Sequence, residues 1–534
     1  TIDTVTATAN AALPKAGGTL TGNLATAGIS AVTAGTSNFV AGVNAGNSIT
    51  SGGNYNTVVG DEAGTAITTG TRNTAVGKSA LGANTTANDN TAVGYEALDA
   101  NTTGADNTAV GKASLGANTT GAHNTAFGKA TLQANTTGAY NTTVGSESLL
   151  SNTTGNSNVA VGQSALAANT TGTENVAVGA LAGDAITTGS RNTAVGYIAL
   201  SAATTASDNS AFGREALRDN TSGTANTAIG KEAMKINTTG AYNTAVGTSA
   251  LPANTTGSGN VGVGREALQY NTTGDNNVAV GEQALKQNTT ADNNTAVGDF
   301  ALKANTTGAR NSAFGNEALD ALTTGTEQIA IGGASLTLAT TGTANTAVGY
   351  NAGYTTTTGS TLTIIGSYAR AGSAGGSTEN VIGHNVQGAG AAYTTVGIST
   401  NKSWLLYGAT SWSGSSDSRL KDNITTSTAG LAFINDLRPV TYEWKAKGDV
   451  PVELEAYEEG STERVNGTDK VQHGFVAQEV KAAIDAHSDI GNGHGMWNEL
   501  SDGTQGIAQG QLVPMLVKAI QELSTQNAAL AARL

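Results

Sequence analysis

A glycine recurs every 17 residues along most of this chain. It stands at Gly60, Gly77 and Gly94, and the spacing continues without a slip to Gly383, since 383 − 60 = 323 = 19 × 17. A constant period of this size is typical of a solenoid in which each repeat forms one coil. Seventeen residues are too few for two helices, so we expect each coil to contain a short strand and turns.

Each repeat has two halves with different local preferences. In the repeat that begins at Asn107, the segment Asn-Thr-Ala-Val favours a β-strand, because Thr and Val have high strand propensity. The later segment Asn-Thr-Thr-Gly (118–121) favours a turn in which glycine can adopt a positive φ angle. The sequence therefore predicts a mainly β fold, with a parallel β-solenoid or β-roll over residues 51–383.

Two positions of the repeat are apolar. Leucine stands four residues after the repeated glycine in most coils, and valine often stands one residue before it. We expect stacking to align both positions into apolar columns. One coil holds few large side chains, so we also expect three chains to share these columns in a homotrimer. Gly64, Gly183 and Gly353 replace the leucine in three coils, and the sequence offers no physical reason for this exchange.

Composition excludes several functions. The formal net charge of −14 argues against nucleic-acid binding, which depends on Lys and Arg neutralising phosphates. The chain has no cysteine and no apolar run of membrane-spanning length, so we expect no disulfide and no membrane insertion. His473, His487 and His494 lack the spacing of metal ligands, and we expect no metal and no cofactor.

The regular repeats end after Gly383, and two motifs follow. Residues 416–421 are Ser-Asp-Ser-Arg-Leu-Lys, and residues 474–480 are Gly-Phe-Val-Ala-Gln-Glu-Val. In this order, behind a repetitive chain, they resemble the self-cleaving intramolecular chaperone at the C terminus of phage endosialidase tailspikes and many tail fibres. The resemblance covers residues 416–534. It implies that this domain trimerises, guides the folding of the preceding fibre and then cleaves itself off.

The resemblance also implies roles for individual residues. Ser416 is the nucleophile and Lys421 is the base, so that the cut falls between Ser415 and Ser416 in a single-turnover autoproteolysis without other substrates. Supporting roles fall to four residues that match the two motifs, Asp417, Arg419, Gln478 and Glu479. Lysine acts as a base only where burial or neighbouring cations lower its pKa. The alternative for Ser416-Asp417 alone is a helix cap.

The C-terminal domain has the pattern of a small α/β fold. We expect a helix over residues 431–437, a strand over 440–444, and a strand leading into a helix over 474–484. The last helix alternates apolar positions by three and four, which is the pattern of a coiled-coil seam. The seam consists of Val513, Leu516, Ile520, Leu523, Asn527, Leu530 and Leu534.

Two further segments complete the predicted organisation. Residues 1–50 contain Leu13–Leu24, which resembles a glycine-rich segment common in phage tail fibres and implies an N-terminal connector. Residues 384–415 form the transition to the C-terminal domain, and they become the distal tip of the fibre once the chain is cut. Aromatic rings at such a tip either stack on sugars or plug the end of a trimer. They are Tyr393, Trp404, Tyr407 and Trp412.

The preferred interpretation is a homotrimeric tail fibre or tailspike-like adhesin of the virion tail, which recognises a glycan or protein receptor on the host surface. A bacterial cell-surface fibre that retains its chaperone domain is the first alternative, because the Asn-Thr-Ala-Val-Gly unit resembles the β-roll heads of trimeric autotransporter adhesins. A polysaccharide depolymerase is the second. It requires two positioned carboxylates, and no such pair stands out from the repeats.

Overall fold

The computed structural model describes residues 29–30, 34–487, 490, 495–501 and 503–533. The chain divides into two compact units, residues 1–415 and residues 416–534. Three sequence predictions concern residues outside the described part of the chain, namely Leu13–Leu24, His494 and Leu534. Among the described residues, no helix combines the length and the apolar character needed to cross a membrane.

Within its described residues, the first unit contains one sheet of 25 strands. Strand β1 (Ile29–Ser30) pairs antiparallel with β2 (Phe39–Ala41). The next strands have the bounds β3 (Thr57–Val59), β4 (Thr74–Val76), β5 (Thr91–Val93), β6 (Thr108–Val110), β7 (Thr125–Phe127), β8 (Thr142–Val144), β9 (Val159–Val161), β10 (Val176–Val178), β11 (Thr193–Val195), β12 (Ser210–Phe212), β13 (Thr227–Ile229), β14 (Thr244–Val246), β15 (Val261–Val263), β16 (Val278–Val280), β17 (Thr295–Val297), β18 (Ser312–Phe314), β19 (Ile329–Ile331), β20 (Thr346–Val348), β21 (Leu362–Ile365), β22 (Glu379–Ile382), β23 (Tyr393–Ile398), β24 (Asn401–Leu406) and β25 (Ser413–Gly414).

Parallel pairing runs from β2 to β23 without interruption, and each coil contributes one strand. Thr74 pairs with Thr91, an offset of 17 residues. The predicted parallel β-solenoid of 17-residue coils is therefore confirmed. Stacking already begins at β2, because a coil of 18 residues joins Phe39 to its partner Thr57. After β23 the sheet continues through the antiparallel strands β24 and β25.

The 17-residue glycine period has a steric cause. Gly128 has a φ of +139°, which side-chain-bearing residues rarely adopt, and a Cβ there would lie 2.5 Å from the carbonyl oxygen of Gly145 in the next coil. Adjacent coils thus approach too closely for a side chain at this point. Most of the remaining left-handed turn positions are occupied by residues other than glycine, with φ of +54° at Ala130 and +53° at Leu132.

The coil interior is filled by leucine, alanine and asparagine. The leucines four residues after the repeated glycine are fully buried, as predicted, and so is the middle residue of the strands, such as Ala75. Val76 and its equivalents also stack into a column, as predicted, but this second column lies on the outer face of the coil and is partly exposed. The reason is the alternation of side chains along a strand: Asn73 and Ala75 point inward, which leaves Thr74 and Val76 outside.

Two columns of buried asparagines hydrogen-bond from coil to coil. In the first column, Oδ1 of Asn141 accepts a hydrogen bond from the backbone N–H of Asn158 at 3.0 Å. In the second, Nδ2 of Asn135 donates to Oδ1 of Asn118 at 2.8 Å. These ladders satisfy polar groups inside the coil, where an unpaired donor or acceptor would be costly. The coil is therefore filled within one chain, and the leucine column is closed to a neighbouring chain.

The structure explains two of the three glycines that replace leucine, Gly64 and Gly183. Gly183 is followed three residues later by Ile186, at the position where other coils carry an asparagine of the second ladder, and Gly64 is followed in the same way by Ile67. Both isoleucines are fully buried. A Cβ on Gly183 would lie 3.0 Å from Cδ1 of Ile186. The isoleucine therefore occupies the space that leucine fills in other coils.

The replacement of leucine by glycine at position 183 can be tested by a double-mutant cycle of unfolding free energies. Gly183→Leu alone should destabilise the solenoid by about 1–3 kcal/mol, because the new side chain meets Ile186. Adding Ile186→Asn should recover that loss, since the pair then matches neighbouring coils. It should also supply a donor to Oδ1 of Asn169, which is buried without a hydrogen-bond partner in this structure. The free energy of unfolding of both single variants and the double variant tests this, and strictly additive effects would contradict it.

The second unit is a small α/β domain. Its helices are α1 (Leu431–Asp436), α2 (Ala477–Ala486) and α3 (Leu512–Ala531). Its strands form two antiparallel pairs, β26 (Val440–Tyr442) with β27 (Gln472–Gly474), and β28 (Trp497–Glu499) with β29 (Gln505–Ile507). Short 3₁₀ helices cover Ser418–Leu420, Lys447–Asp449 and Gln509–Gln511. The predicted fold class of a β-solenoid followed by a small α/β domain is confirmed.

The core of this domain lies between the three helices. It is formed by Phe433, Leu437, Val480, Ala483, Ile484, Met496 and Leu512. Helix α3 leaves most of its predicted seam exposed, with 58% exposure at Val513 and 66% at Ile520. The described part of the chain offers these side chains no apolar cover, which is the state expected of one chain from a coiled coil. The coiled coil itself stays a prediction.

Candidate active site

Residues 416–421 form a tight turn at the start of the second unit. Asp417 is the N-cap of the 3₁₀ helix Ser418–Leu420, and its carboxylate accepts a hydrogen bond from the backbone N–H of Arg419 at 2.9 Å. The backbone N–H of Lys421 donates to the carbonyl of Ser418 at 3.2 Å. The turn therefore brings residue 421 back towards residue 416. The helix-cap interpretation thus applies to Asp417 and is compatible with a separate role for Ser416.

The side chains of Ser416 and Lys421 meet across this turn. Nζ of Lys421 donates a hydrogen bond to Oγ of Ser416 at 2.7 Å. A nucleophile and its base must lie within this range for direct proton transfer. Both residues are exposed in the single chain. To act as a base, Lys421 must be a neutral amine, which then takes the proton of the Ser416 hydroxyl.

Asp417 and Arg419 form an ion pair beside the two residues. Nε of Arg419 lies 3.0 Å from Oδ1 of Asp417, and Nη2 lies 2.5 Å from Oδ2. The hydrogen bond from Arg419 holds the pKa of Asp417 below its usual value, so the carboxylate is ionised at neutral pH. The pair braces the turn that positions Ser416 and Lys421. This contact agrees with an orienting role, which remains a prediction.

The second motif contributes to a different part of the domain. Glu479 lies in the first turn of α2, and its Oε2 accepts a hydrogen bond from Nε of Arg438 at 3.0 Å. Arg438 also holds the pKa of Glu479 below its usual value. Gln478 is exposed on the same turn. The described contacts do not join Gln478 or Glu479 to Ser416 or Lys421, so their supporting role stays a prediction.

Sequence reasoning missed Arg438. It lies two residues after the end of α1 and links that region to the start of α2 through Glu479. The only signal in the sequence is its place in Leu437-Arg438-Pro439, immediately after the predicted helix. Nothing in that local pattern identifies Glu479, 41 residues later, as the partner.

The four aromatic residues of the segment 384–415 are spread over its strands and turns. Tyr393 opens β23 and is half-buried, and Trp404 lies within β24 opposite Thr395. Tyr407 and Trp412 are exposed, at 43% and 53%. The segment thus offers two exposed rings rather than four.

A second aromatic group, which the sequence did not reveal, lies on the last coils of the solenoid. The ring of Tyr368 is 5.5 Å from that of Tyr350 and 6.4 Å from that of Tyr354, and it also packs edge-on against His384 at 6.4 Å. These residues are far apart in the sequence, and the 17-residue coils bring them together. Tyr350 and Tyr368 are exposed, at 54% and 40%.

Comparison with known proteins gives a family match for the second unit. Residues 416–489 match the sequence model of a family described as chaperone of endosialidase, and the match begins at the first residue of the unit. No curated protein and no solved structure matches the chain. The second unit is therefore similar to the endosialidase chaperone family over residues 416–489, and the chain joins this domain to a β-solenoid of 17-residue coils, in agreement with the predicted resemblance to phage tail fibres that carry such a chaperone.

Proposed function

We propose that this protein is a homotrimeric tail fibre of a phage virion, which binds the host surface after its C-terminal domain has assisted assembly and cut itself off before Ser416. The observation that carries the proposal is the 2.7 Å hydrogen bond between Ser416 and Lys421. It lies at the boundary between the two units and at the first residue of the chaperone match. A nucleophile–base pair at this junction is suited to separating the solenoid from its chaperone.

The proposed cleavage proceeds in two steps. Oγ of Ser416 attacks the carbonyl carbon of Ser415 while a neutral Lys421 takes the hydroxyl proton. The C–N bond between the two serines breaks as that proton moves to the departing α-amine of Ser416, and an ester joins Ser415 to Oγ. Water then adds to the ester carbonyl and the bond to Oγ breaks. The products are a carboxylate at Ser415 and an intact Ser416 with a free amine, so one water is consumed and one proton released.

Removal of the chaperone would make assembly irreversible. Once the domain has left, a fibre that unfolds can no longer be guided back to its fold. The lifetime of the folded fibre then depends on the height of the unfolding barrier rather than on the folding equilibrium. The exposed apolar residues of α3 support the proposed trimer, because a coiled-coil seam needs partner helices.

Host recognition is the second half of the proposal. Cleavage would make residues 384–415 the end of the fibre chain, where Tyr407 and Trp412 present their rings to solvent. The group around Tyr368 adds further aromatic surface on the preceding coils. Aromatic rings with a polar edge are suited to contacts with sugars or protein side chains. These surfaces are where we expect the receptor, a host glycan or protein, to bind.

The mass of the denatured protein tests the cleavage. Wild type should give two pieces separated between Ser415 and Ser416, and Ser416→Ala should remain intact because it has no hydroxyl to attack the peptide bond. Ser418→Ala is the matched control, since it removes a serine from the same turn and should still be cut. A cut product from Ser416→Ala would overturn the assignment of the nucleophile. An intact wild type would favour a surface fibre that keeps its chaperone domain.

A further inference from the structure

One face of the solenoid sheet is uncharged, carries a continuous column of apolar side chains, and is not covered by the described part of the chain. It consists of the first and third residues of strands β3–β20, which point away from the coil interior, and we refer to it as the strand face. The third residue is Val, Phe or Ile in every one of these strands, and the first is Thr, Ser, Val or Ile. The side chains are partly exposed, with 42% exposure at Phe127, 41% at Phe212 and 42% at Phe314.

Charged residues are absent from the strand face. Across β3–β20, neither position contains Asp, Glu, Lys, Arg or His. Other outward positions of the same coils carry charges freely, and these charges pair along the solenoid. Examples are the ion pairs Arg72–Asp89 at 2.6 Å, Arg191–Asp208 at 2.7 Å and Arg310–Glu327 at 2.8 Å. A face in permanent contact with water needs no such exclusion, so its composition points to burial.

The size of the strand face also indicates that it is buried against another surface. Parallel sheets normally have both faces covered, whereas here the inner face packs on the coil interior and the outer face packs on nothing in the described chain. With strands about 4.8 Å apart, 18 strands extend the apolar column over about 80 Å. Soluble monomers rarely expose continuous apolar patches larger than a few hundred Å².

We infer that the strand face is the surface along which copies of this chain associate, an inference that rests on the proposed homotrimer and assigns it an interface. The face repeats the same residue types once per coil, so a partner that matches it throughout must have the same repeat. A second copy has that repeat. The net charge of −14 also favours contact through an uncharged face, because copies repel one another elsewhere.

Cysteine reactivity tests this inference directly, because the chain contains no cysteine of its own. Val178→Cys places a thiol on the strand face, at a residue that is 37% exposed in the single chain. Ser157→Cys places one on an exposed turn and is the matched control. In native protein expressed from the whole chain, whether cut or uncut, a maleimide reagent should modify residue 178 at least tenfold more slowly than residue 157. The two rates should become equal after denaturation.

Equal rates in the native protein would overturn the inference, whether the chain is then monomeric or associates through another face.

Substitution of strand-face residues by glutamate gives a second test. Val195→Glu, Val246→Glu and Val297→Glu together should lower the oligomer mass measured by light scattering while the β-sheet circular dichroism is kept. The matched control is Ala225→Glu, Tyr242→Glu and Asn293→Glu, on the turn column where Glu174 and Glu327 occur naturally.

An oligomer of unchanged mass in the strand-face variant would also contradict the proposed interface. The same samples report the cut between residues 415 and 416 by mass. Failure of cleavage and failure of the strand-face interface are therefore separate results.

Discussion

Lys421→Met should leave the chain uncut between Ser415 and Ser416. Methionine has a similar length but cannot take a proton from Oγ of Ser416, which receives its hydrogen bond from Nζ of Lys421 at 2.7 Å. A positioned general base contributes about 10²–10⁴-fold to a rate, so a cut that is complete in wild type should become undetectable over the same time. Mass determination of denatured samples taken at intervals after purification gives the rate.

Two further variants separate proton transfer from simple charge. Lys421→Arg keeps a cation near Ser416, but arginine stays protonated and cannot act as the base. It should therefore be as inactive as Lys421→Met. Lys470→Met, at an exposed loop position of the same domain, is the matched control and should be cut at the wild-type rate. Cleavage of the arginine variant at the wild-type rate would mean that Lys421 supplies only a positive charge.

The 17-residue period predicted that each repeat forms one coil, but it did not predict which apolar side chains point into the coil and which point outward. Leu132 and its equivalents were expected inside and are buried, because their column is defined by size and spacing. The valine column was predicted without a side, and the structure places it outside, because the strand has only three residues and alternation gives the inward place to Ala75. Apolar character does not distinguish burial in a coil from a column on its outer face.

The candidate site was predictable only where its contacts are local. Ser416 and Lys421 are five residues apart, and a single 3₁₀ turn brings them together. Glu479 belongs to the second motif, which begins 58 residues after Ser416, since 474 − 416 = 58, and its partner proved to be Arg438. Likewise, the glycine at position 183 was explained only by the structure, which shows that Ile186 occupies the space that leucine fills in other coils. Such pairings depend on tertiary packing.

Asn141→Asp should destabilise the middle of the solenoid severely at neutral pH. Nδ2 of Asn141 donates to Oδ1 of Asn124 at 3.1 Å and to the carbonyl of Gly155 at 2.9 Å, and the side chain is fully buried. A carboxylate cannot donate either bond and would face both oxygens without a cation. Leaving a buried charge uncompensated costs about 3–5 kcal/mol.

The loss should depend on pH with a definite sign. Burial raises the pKa of a carboxyl group, so the folded variant binds its proton more tightly than the unfolded chain does. The deficit relative to wild type should therefore grow as the pH rises through the raised pKa and shrink in acid. Denaturant unfolding of both proteins at pH 4 and at pH 7 measures this difference.

Asn156→Asp is the matched control for the ladder. Oδ1 of Asn156 only accepts, from the backbone N–H of Ala139 at 2.8 Å, and an aspartate can replace it without losing that bond. Asp275 already does so in another coil, where it accepts from the N–H of Ser258 at 2.7 Å. The control should unfold within about 0.5 kcal/mol of wild type. If Asn141→Asp matched it at pH 7, the side-chain donors of the ladder would contribute little, and the coils would be held together by their backbone hydrogen bonds and leucines alone.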